Sequence, residues 1–198
     1  AVILLDEADI NIYKTGKQRS SILERKMVVK ILNKKGYKYA SMIIPYAEGT
    51  EINDIQARTI LPDGTIIPLD HELIFDVNMY PGFILYADIR AKRFTMPAIE
   101  ENCIVEYRWT QMTKDFTYWT RWYFQHDEPT MISRYTVRCW SQWDIKWKAY
   151  GIDVEMDKDE YPDGFKAIRR WEVRDIPPFI SETGMPPGSN NIGNIMFS

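Results

Sequence analysis

Covalent chemistry in this sequence would have to come from two cysteines and two histidines. A cysteine nucleophile needs a neighbouring imidazole and commonly sits at the N-terminus of a helix. Cys103 and Cys139 instead fall inside predicted strands, on the same parity as apolar neighbours. His71 and His126 are expected at the surface. We therefore expect two buried free thiols; an inter-strand disulfide is the alternative, and it would indicate an oxidising compartment.

Metal-ligand spacing is also lacking, because neither CxxC nor HExxH occurs. The acidic run from Asp153 to Glu160 has the density of a calcium loop. Lys158 stands where such a loop needs its Gly, and Gly164 stands where it needs its bidentate Glu. The run therefore predicts a solvated strand edge or loop, and no metal or other cofactor is expected.

Serine and paired-carboxylate hydrolysis lack their signatures as well. No G-x-S-x-G elbow occurs. Glu100 and Glu101 are neighbours, and adjacent residues on an extended chain point apart. The sequence therefore predicts no catalytic residues, and we expect this stretch of chain not to be an enzyme.

Aromatic side chains are the strongest binding signal in the chain, which has 12 Tyr and 7 Trp. They crowd the segment Met96–Trp140, and both faces of a strand over 117–124 would carry them. Exposed rings could form a platform for sugar rings or a peptide, whereas packing in the core or against a neighbouring domain is the favoured alternative. The four candidate platform residues are Trp119, Trp122, Trp140 and Trp143.

The elements that would position these residues are mostly strands, because period-two alternation recurs and turn signals fall every 8–12 residues or so. Pro62-Asp63-Gly64 predicts a hairpin between Ile55–Leu61 and Thr65–Leu69. The pattern favours an all-β fold, a two-layer antiparallel β-sandwich, immunoglobulin-like or similar. Other predicted strands are Asp9–Tyr13, Ile22–Leu32, Tyr37–Ile44, Leu73–Val77, Phe83–Phe94, 102–110, 117–125, 131–140 and Phe165–Val173; Trp143–Asp159 is a weak helical candidate.

The last part of the chain changes character. Residues 1–175 are predicted to form the β-sandwich domain. Residues 176–198 are predicted to form a Pro-rich linker and the start of the next structural element, because Pro removes ladder donors and favours an extended path. Asn194–Phe197 is the strand-like run assigned to that next element.

Length and charge narrow the class of protein further. A chain of 198 residues and 23.4 kDa suits one β-rich domain. A net charge of −3 without a concentrated basic face argues against nucleic-acid binding. No apolar run reaches the ~20 residues that span a bilayer, so no transmembrane segment is predicted. The first 13 residues do not have the pattern of a signal peptide.

Several short motifs recur in a characteristic order along the chain. They are Leu61-Pro62-Asp63-Gly64-Thr65, Met96-Pro97-Ala98-Ile99, Ile104-Val105-Glu106-Tyr107, Phe124-Gln125 with Pro129, Ser133-Arg134-Tyr135, and Trp171-Glu172 through Pro177-Pro178, Glu182 and Met185-Pro186. Taken in this order, they resemble a bacterial family: the domain of unknown function that precedes a transglutaminase-like domain in exported multidomain proteins. Asn102-Cys103 departs from the family pattern, which more often has a Gly-containing turn there.

This resemblance implies a β-sandwich without catalytic residues of its own, in the periplasm or outside the cell. Its implied partner is a downstream domain of the same polypeptide, which would carry the Cys, His and Asp of a cysteine hydrolase. Our first hypothesis is therefore a non-catalytic accessory domain. The alternative hypothesis is an independent carbohydrate- or peptide-binding module that uses the four tryptophans.

Overall fold

Fourteen strands account for most of the chain in the computed structural model, which describes residues 1–79, 89–114, 119–161, 164–180 and 192–197. Two short 3₁₀ helices, Lys34–Ala40 and His71–Leu73, complete the regular structure. The strands are β1 Val2–Thr15, β2 Gln18–Lys30, β3 Ser41–Tyr46, β4 Thr50–Ile60, β5 Ile66–Pro68, β6 Phe75–Asn78, β7 Arg90–Thr95, β8 Ile104–Thr113, β9 Trp122–Tyr123, β10 Thr130–Trp140, β11 Trp147–Tyr150, β12 Met156–Glu160, β13 Lys166–Ile176 and β14 Asn194–Phe197.

The strands form one large sheet and two small ones. The large sheet has eight strands in the order β12-β13-β10-β1-β2-β8-β4-β5. The small sheets have three strands each, β3-β7-β6 and β11-β14-β9. The all-β fold with packed sheets is confirmed. One pair departs from the antiparallel expectation, because β1 and β10 run parallel, with Ile3 opposite Thr130.

A bulge in β1 decides which side chains enter the core. The β1–β2 register shifts between Ile3 and Leu5, which places Asp6 on the same face as Ile3. Ala8, Ile10 and Ile12 follow at alternate positions, and all are buried. Cross-strand partners share a face. This inner face of the large sheet therefore continues through alternate residues of β2, β8 and β10.

Both small sheets pack on that inner face, over different regions of it. The β3-β7-β6 sheet contributes Ile44 and Phe94 to one core cluster, over Val29 and Val105. The β11-β14-β9 sheet contributes residues such as Phe197 to a second cluster, over Ile12, Val137 and Trp171. Each small sheet therefore covers part of the large one.

The opposite face of the large sheet carries crossing ion pairs. Lys26 and Arg58 both contact Glu106, at 3.0 and 2.6 Å. Arg134 bridges Glu7 and Glu172 at 2.8 and 2.6 Å. We call this surface the outer face. Its opposite charges stand on adjacent strands, an arrangement that supports cross-strand pairing.

Several predicted elements are confirmed and others need correction. The hairpin appears as β4 and β5, and the acidic run ends in β12, an exposed edge strand of the large sheet. The helical alternative for Trp143–Asp159 is wrong, since that segment holds β11 and β12. The strand predicted for Tyr37–Ile44 is half wrong, because residues up to Ala40 form a 3₁₀ helix capped by the Asn33 side chain. Half of Phe83–Phe94, residues 83–88, lies outside the described residues, and the other half falls mainly in β7. The start of 117–125 also lies outside them, and the rest of that prediction is mostly wrong, because only Trp122–Tyr123 forms a strand there.

The C-terminal boundary also differs from the prediction. Asn194–Phe197 does not begin another element: it is β14, paired with both β9 and β11, and Phe197 is buried. Residues 177–179 run beside the chain that follows β9, where Phe179 N donates to His126 O at 2.7 Å. Residues 181–191, which include the Met185-Pro186 part of the predicted linker, lie outside the described part of the chain. No helix among the described residues is long and apolar enough to cross a membrane.

Candidate binding site

Cys103 and Cys139 are both free and buried, as the apolar parity predicts. Cys103 belongs to the core under the β3-β7-β6 sheet, and Cys139 to the core under the β11-β14-β9 sheet. Burial raises the pKa of the Cys139 thiol, although the Arg169 guanidinium beside it acts in the opposite direction. Neither sulfur has the setting of an activated nucleophile.

The four predicted platform tryptophans do not share one environment. Trp122 is buried at 7% exposure. Trp119 is half-buried and packs on Phe197, with ring centroids 5.1 Å apart. Trp140 and Trp143 are half-buried and 5.0 Å apart. A common aromatic platform stays a prediction. The buried Trp122 ring would expose little surface to a ligand of such a platform.

The Trp140–Trp143 pair borders a shallow cavity at one end of the large sheet. The cavity has a volume of about 350 Å³, and Lys14, Gly16 and Gln142 also line it. Arg19 lies over the Trp143 ring, 5.1 Å from its centroid. A cation already covers part of this aromatic surface.

A second candidate cavity lies on the inner face of the large sheet, beside β9 of the β11-β14-β9 sheet. Three cross-strand rows of β2 and β8 form its floor: Arg25 with Trp109, Leu23 with Gln111, and Ser21 with Thr113. The region around β9 lines it as well, through residues such as Trp122 and His126. The volume is about 430 Å³, within the range of small-molecule sites. We call this cavity the inner groove.

A buried charge cluster supports the groove from below. Asp6 has no exposure, and its Oδ1 lies 2.6 Å from Arg25 Nη2, an ion pair whose angle falls short of a hydrogen bond. Its Oδ2 lies 2.7 Å from Nε2 of His126. Removing a carboxylate from water requires such partners. His126, expected at the surface, is therefore part of a half-buried polar network.

Arg25 is held in a fixed position at the groove. Its guanidinium lies 4.1 Å from the centroid of the Trp122 ring. The Trp122 indole nitrogen donates to Ser133 Oγ at 3.2 Å, which fixes the ring in turn. Tyr135 packs against Trp122 with ring centroids 5.1 Å apart. Burial raises the pKa of Tyr135 well above its usual range although Arg25 opposes this, so Tyr135 remains a neutral phenol.

Two donors of the groove have no partner among the described residues. These are Arg25 Nη1 and Trp109 Nε1, both buried. Arg25 and Trp109 are directly opposed on β2 and β8, so the side chains that carry these donors start from adjacent positions. Buried donors are nearly always hydrogen-bonded in native proteins.

The sequence did not single out Asp6, Arg25 or Trp109. Asp6 and Glu7 look alike in the sequence, and only the β1 bulge sends Asp6 inward. Arg25 does have the apolar parity of Met27 and Val29, which is the one signal that could have marked it as an inward-facing cation.

In the described part of the chain, no group of three or more His, Cys, Asp or Glu side chains is placed to hold a metal ion.

A family model for a domain of unknown function, DUF3857, matches residues 18–180. The chain belongs to this family. No curated protein matches the chain.

Among solved structures, the chain is similar in fold to a crystal structure from Parabacteroides distasonis described as a "putative protease". The TM-score is 0.82 at 13% identity, and the match covers 99% of this chain and 39% of that one. The chain therefore spans well under half of the length of that protein. A Legionella pneumophila structure described as a "putative nutrient binding protein" has a TM-score of 0.36 at 8% identity, covering 98% and 66%. At this score the second match carries no argument.

Proposed function

We propose that this domain is a non-catalytic accessory domain of a larger exported bacterial protein, and that it packs on or positions a downstream transglutaminase-like domain. The observation that carries the proposal is the fold match: nearly all of this chain corresponds to 39% of a longer protein described as a protease. The same fold therefore occurs there as one part of a larger chain. The family-like motifs of the sequence support the transglutaminase-like partner and the periplasmic or extracellular location.

The residue environments of this domain agree with such a role. Its two thiols are buried and its histidines do not contact them in any described interaction. Its family-like motifs have structural roles: Glu106 joins two cations on the outer face, and Tyr135 and Trp171 fill the core. Gln125 donates to Pro177 O and accepts from Gly193 N, so it ties the C-terminal segment to the sandwich.

The gene that encodes this chain provides the first test. We expect the reading frame to continue past Ser198 into a domain with a Cys, His and Asp set. A frame that stops near Ser198, or that continues without this set, would overturn the proposal. If the set is present, the following domain is expressed with and without residues 1–198. We expect the longer form to have a higher midpoint of thermal unfolding; equal midpoints and equal hydrolase activity would argue against packing between the domains.

A second candidate function is a free-standing carbohydrate- or peptide-binding module. The specific observation in its favour is the half-buried Trp140–Trp143 pair beside a cavity. Intrinsic fluorescence titrated with a glycan and peptide panel tests it, with Trp143→Ala as the variant and Trp171 left intact as the core reporter. A saturable shift that Trp143→Ala removes supports this function, and the lack of any shift in the parent protein rejects it.

A further inference from the structure

The shallow cavity beside the two half-buried tryptophans forms where two neighbouring strands separate. β1 and β10 pair as far as Asn11 and Arg138. Beyond that point β1 continues beside β2 to Thr15, and β10 continues beside β13 to Trp140. The residues that line the cavity lie at these separated ends or in the adjoining chain: Lys14, Gly16, Arg19, Trp140, Gln142 and Trp143. We call this cavity the strand-end cleft.

Two cations of the cleft face each other without a counterion. Lys14 and Arg19 are directly opposed on β1 and β2, so their side chains leave the sheet on the same face. Both are exposed. Neither forms an ion pair with any described residue, and the described residues that line the cleft include no carboxylate. Like charges directly opposite on adjacent strands destabilise their pairing. An anion from outside the chain would relieve this repulsion.

The tryptophan side of the cleft is an aromatic turn that the protein already holds in place. Trp143 N donates to Trp140 O at 3.1 Å, and the two rings lie 5.0 Å apart. The buried Arg169 guanidinium donates to Ser141 O at 3.4 Å and also to Trp143 O. Arg19 lies over the Trp143 ring. A ligand therefore meets a surface that loses little conformational freedom on binding.

The side chains of the cleft match a sugar that carries a carboxylate. Lys14 and Arg19 are donors only, and the oxygens of one carboxylate can accept from both. Such charge-assisted hydrogen bonds are roughly twice as strong as neutral ones. The Gln142 amide both donates and accepts, as sugar hydroxyls do, and the indole rings offer apolar surface to the C–H groups of a sugar ring. The volume of about 350 Å³ is within the range of small-molecule sites.

Two other classes of ligand fit the cleft less well. A neutral sugar would leave the two cations without a counterion. An acidic peptide would bring main-chain N–H and C=O groups that need partners once they are buried. Among the described residues that line the cleft, Gln142 has the one amide side chain that could pair with them.

We propose that the strand-end cleft binds a sugar acid, with Lys14 and Arg19 as donors to its carboxylate and the Trp140–Trp143 pair against its ring. The proposal rests on the second candidate function and names the class of ligand that this function would take. It does not depend on a neighbouring domain, since every residue of the cleft lies in this chain.

The test is a titration followed through the indole N–H signals in ¹H–¹⁵N NMR spectra, with two signals assigned from the variants Trp140→Phe and Trp143→Phe. The probes are digalacturonic acid, its neutral dimethyl ester, and a dipeptide of glutamic acid. We expect both signals to shift saturably with the sugar acid, which should bind about 10-fold more tightly than the ester. Added salt should weaken binding of the acid and leave binding of the ester unchanged.

Lys14→Glu is the decisive variant, because it converts the like-charge pair with Arg19 into a pair of opposite charges. It should keep or raise the midpoint of thermal unfolding and weaken binding of the sugar acid by about 10-fold or more. The matched control is Lys17→Gln, since Lys17 is an exposed cation of the same turn that does not line the cleft. Its affinity for the sugar acid should stay within about 2-fold of the parent value.

Each alternative outcome has a distinct meaning. Equal affinity for acid and ester overturns the proposal but leaves the second candidate function in place, and unchanged binding by Lys14→Glu does the same. Tighter binding of the dipeptide than of the sugar acid also overturns it and identifies an acidic peptide as the ligand. The lack of a saturable shift with every probe up to about 10 mM overturns it as well. Only a negative result across the wider glycan and peptide panel rejects the second candidate function too.

Discussion

Oδ1 of Asp6 lies 2.6 Å from Nη2 of Arg25, and the aspartate side chain has no exposure to solvent. The Arg25 guanidinium of this pair lies against the Trp122 ring of β9, 4.1 Å from its centroid. A carboxyl group is thus buried within the inner face of the large sheet, which also holds the buried polar side chains of Ser21, Ser133 and Arg169. Its burial is tolerated because Arg25 and His126 both contact it.

Removing one member of this pair should destabilise the protein strongly. Asp6→Leu leaves Arg25 buried without its counterion, and we expect a loss of about 3–5 kcal/mol in the free energy of unfolding. The double variant Asp6→Leu, Arg25→Met removes both charges and should be clearly more stable than Asp6→Leu alone. Urea denaturation measures the free energy of unfolding of the parent protein, Asp6→Leu and the double variant. Glu51→Gln, which breaks the exposed pair with Lys114, is the control and should change stability by less than about 1 kcal/mol. A double variant less stable than Asp6→Leu would contradict this account.

The turn before β8 makes a prediction about backbone strain. Asn102 has φ 65°, in the left-handed region that glycine adopts freely. The structure thus explains the one departure from the family-like pattern, because Asn tolerates this conformation better than other non-glycine residues. We expect Asn102→Gly to change stability by a few tenths of a kcal/mol and Asn102→Ala to lose about 1 kcal/mol. Thermal unfolding distinguishes them, and equal midpoints for the two variants would show that φ is not the cause.

Thiol reactivity should report the burial of both cysteines. Cys103 and Cys139 are fully buried and unpaired. Burial also raises the pKa of Cys139, which lowers its thiolate fraction at neutral pH. We expect the native protein to react very slowly with a thiol-reactive disulfide reagent. In guanidinium chloride, both thiols should react, and the protein should consume two equivalents of the reagent. Rapid reaction of either thiol under native conditions would contradict the buried positions.

The β3-β7-β6 sheet should lose stability in acid through Asp76. Burial alone would raise the pKa of Asp76, but hydrogen bonds from Lys92, Tyr46 and Arg90 outweigh it and lower the pKa to about 2. Because the folded-state value is lower than the unfolded one, the carboxylate stabilises the fold above about pH 4, and this contribution is lost as the pH falls towards about 2. Solvent screening limits it to about 1 kcal/mol.

The variant Asp76→Asn provides the measurement. At pH 7, its free energy of unfolding should be lower than that of the parent protein by about 1 kcal/mol or less. Between about pH 4 and about pH 2, this free energy should fall less steeply than in the parent protein. Asp157→Asn, on the exposed β12 edge, serves as the control and should keep the pH dependence of the parent. A parent-like acid profile for Asp76→Asn would show that another group controls the acid sensitivity.

Local patterns predicted those parts of the fold that local chemistry determines. The Pro62-Asp63-Gly64 turn gives the hairpin, and charge density gives the exposed edge strand β12. Alternation placed both cysteines in the core. The strand predicted for Tyr37–Ile44 failed at its start because the Asn33 side chain caps a 3₁₀ turn there. Asn33 precedes the alternating apolar residues, and a strand prediction based on alternation alone does not consider its capping side chain.

The inner groove could not be predicted because long-range pairing creates it. The β1 bulge determines that Asp6 rather than Glu7 faces inward. Register between β2 and β8 brings Arg25 opposite Trp109. The position of β9 then places Trp122 over Arg25. Each residue type was visible in the sequence, but none of these three relationships is encoded by residues close to one another in the chain.

The parallel pairing of β1 with β10 has a kinetic consequence. β1 lies inside the large sheet, between β2 and β10, and Ile3 meets Thr130 only after most of the chain has been synthesised. Until then, the β1–β2 hairpin has one open edge and an apolar face without its covering strands. Pairing between such distant segments slows folding, and unpaired apolar edges favour aggregation. We expect refolding of this domain to be slow for its size and to give better yields at low protein concentration.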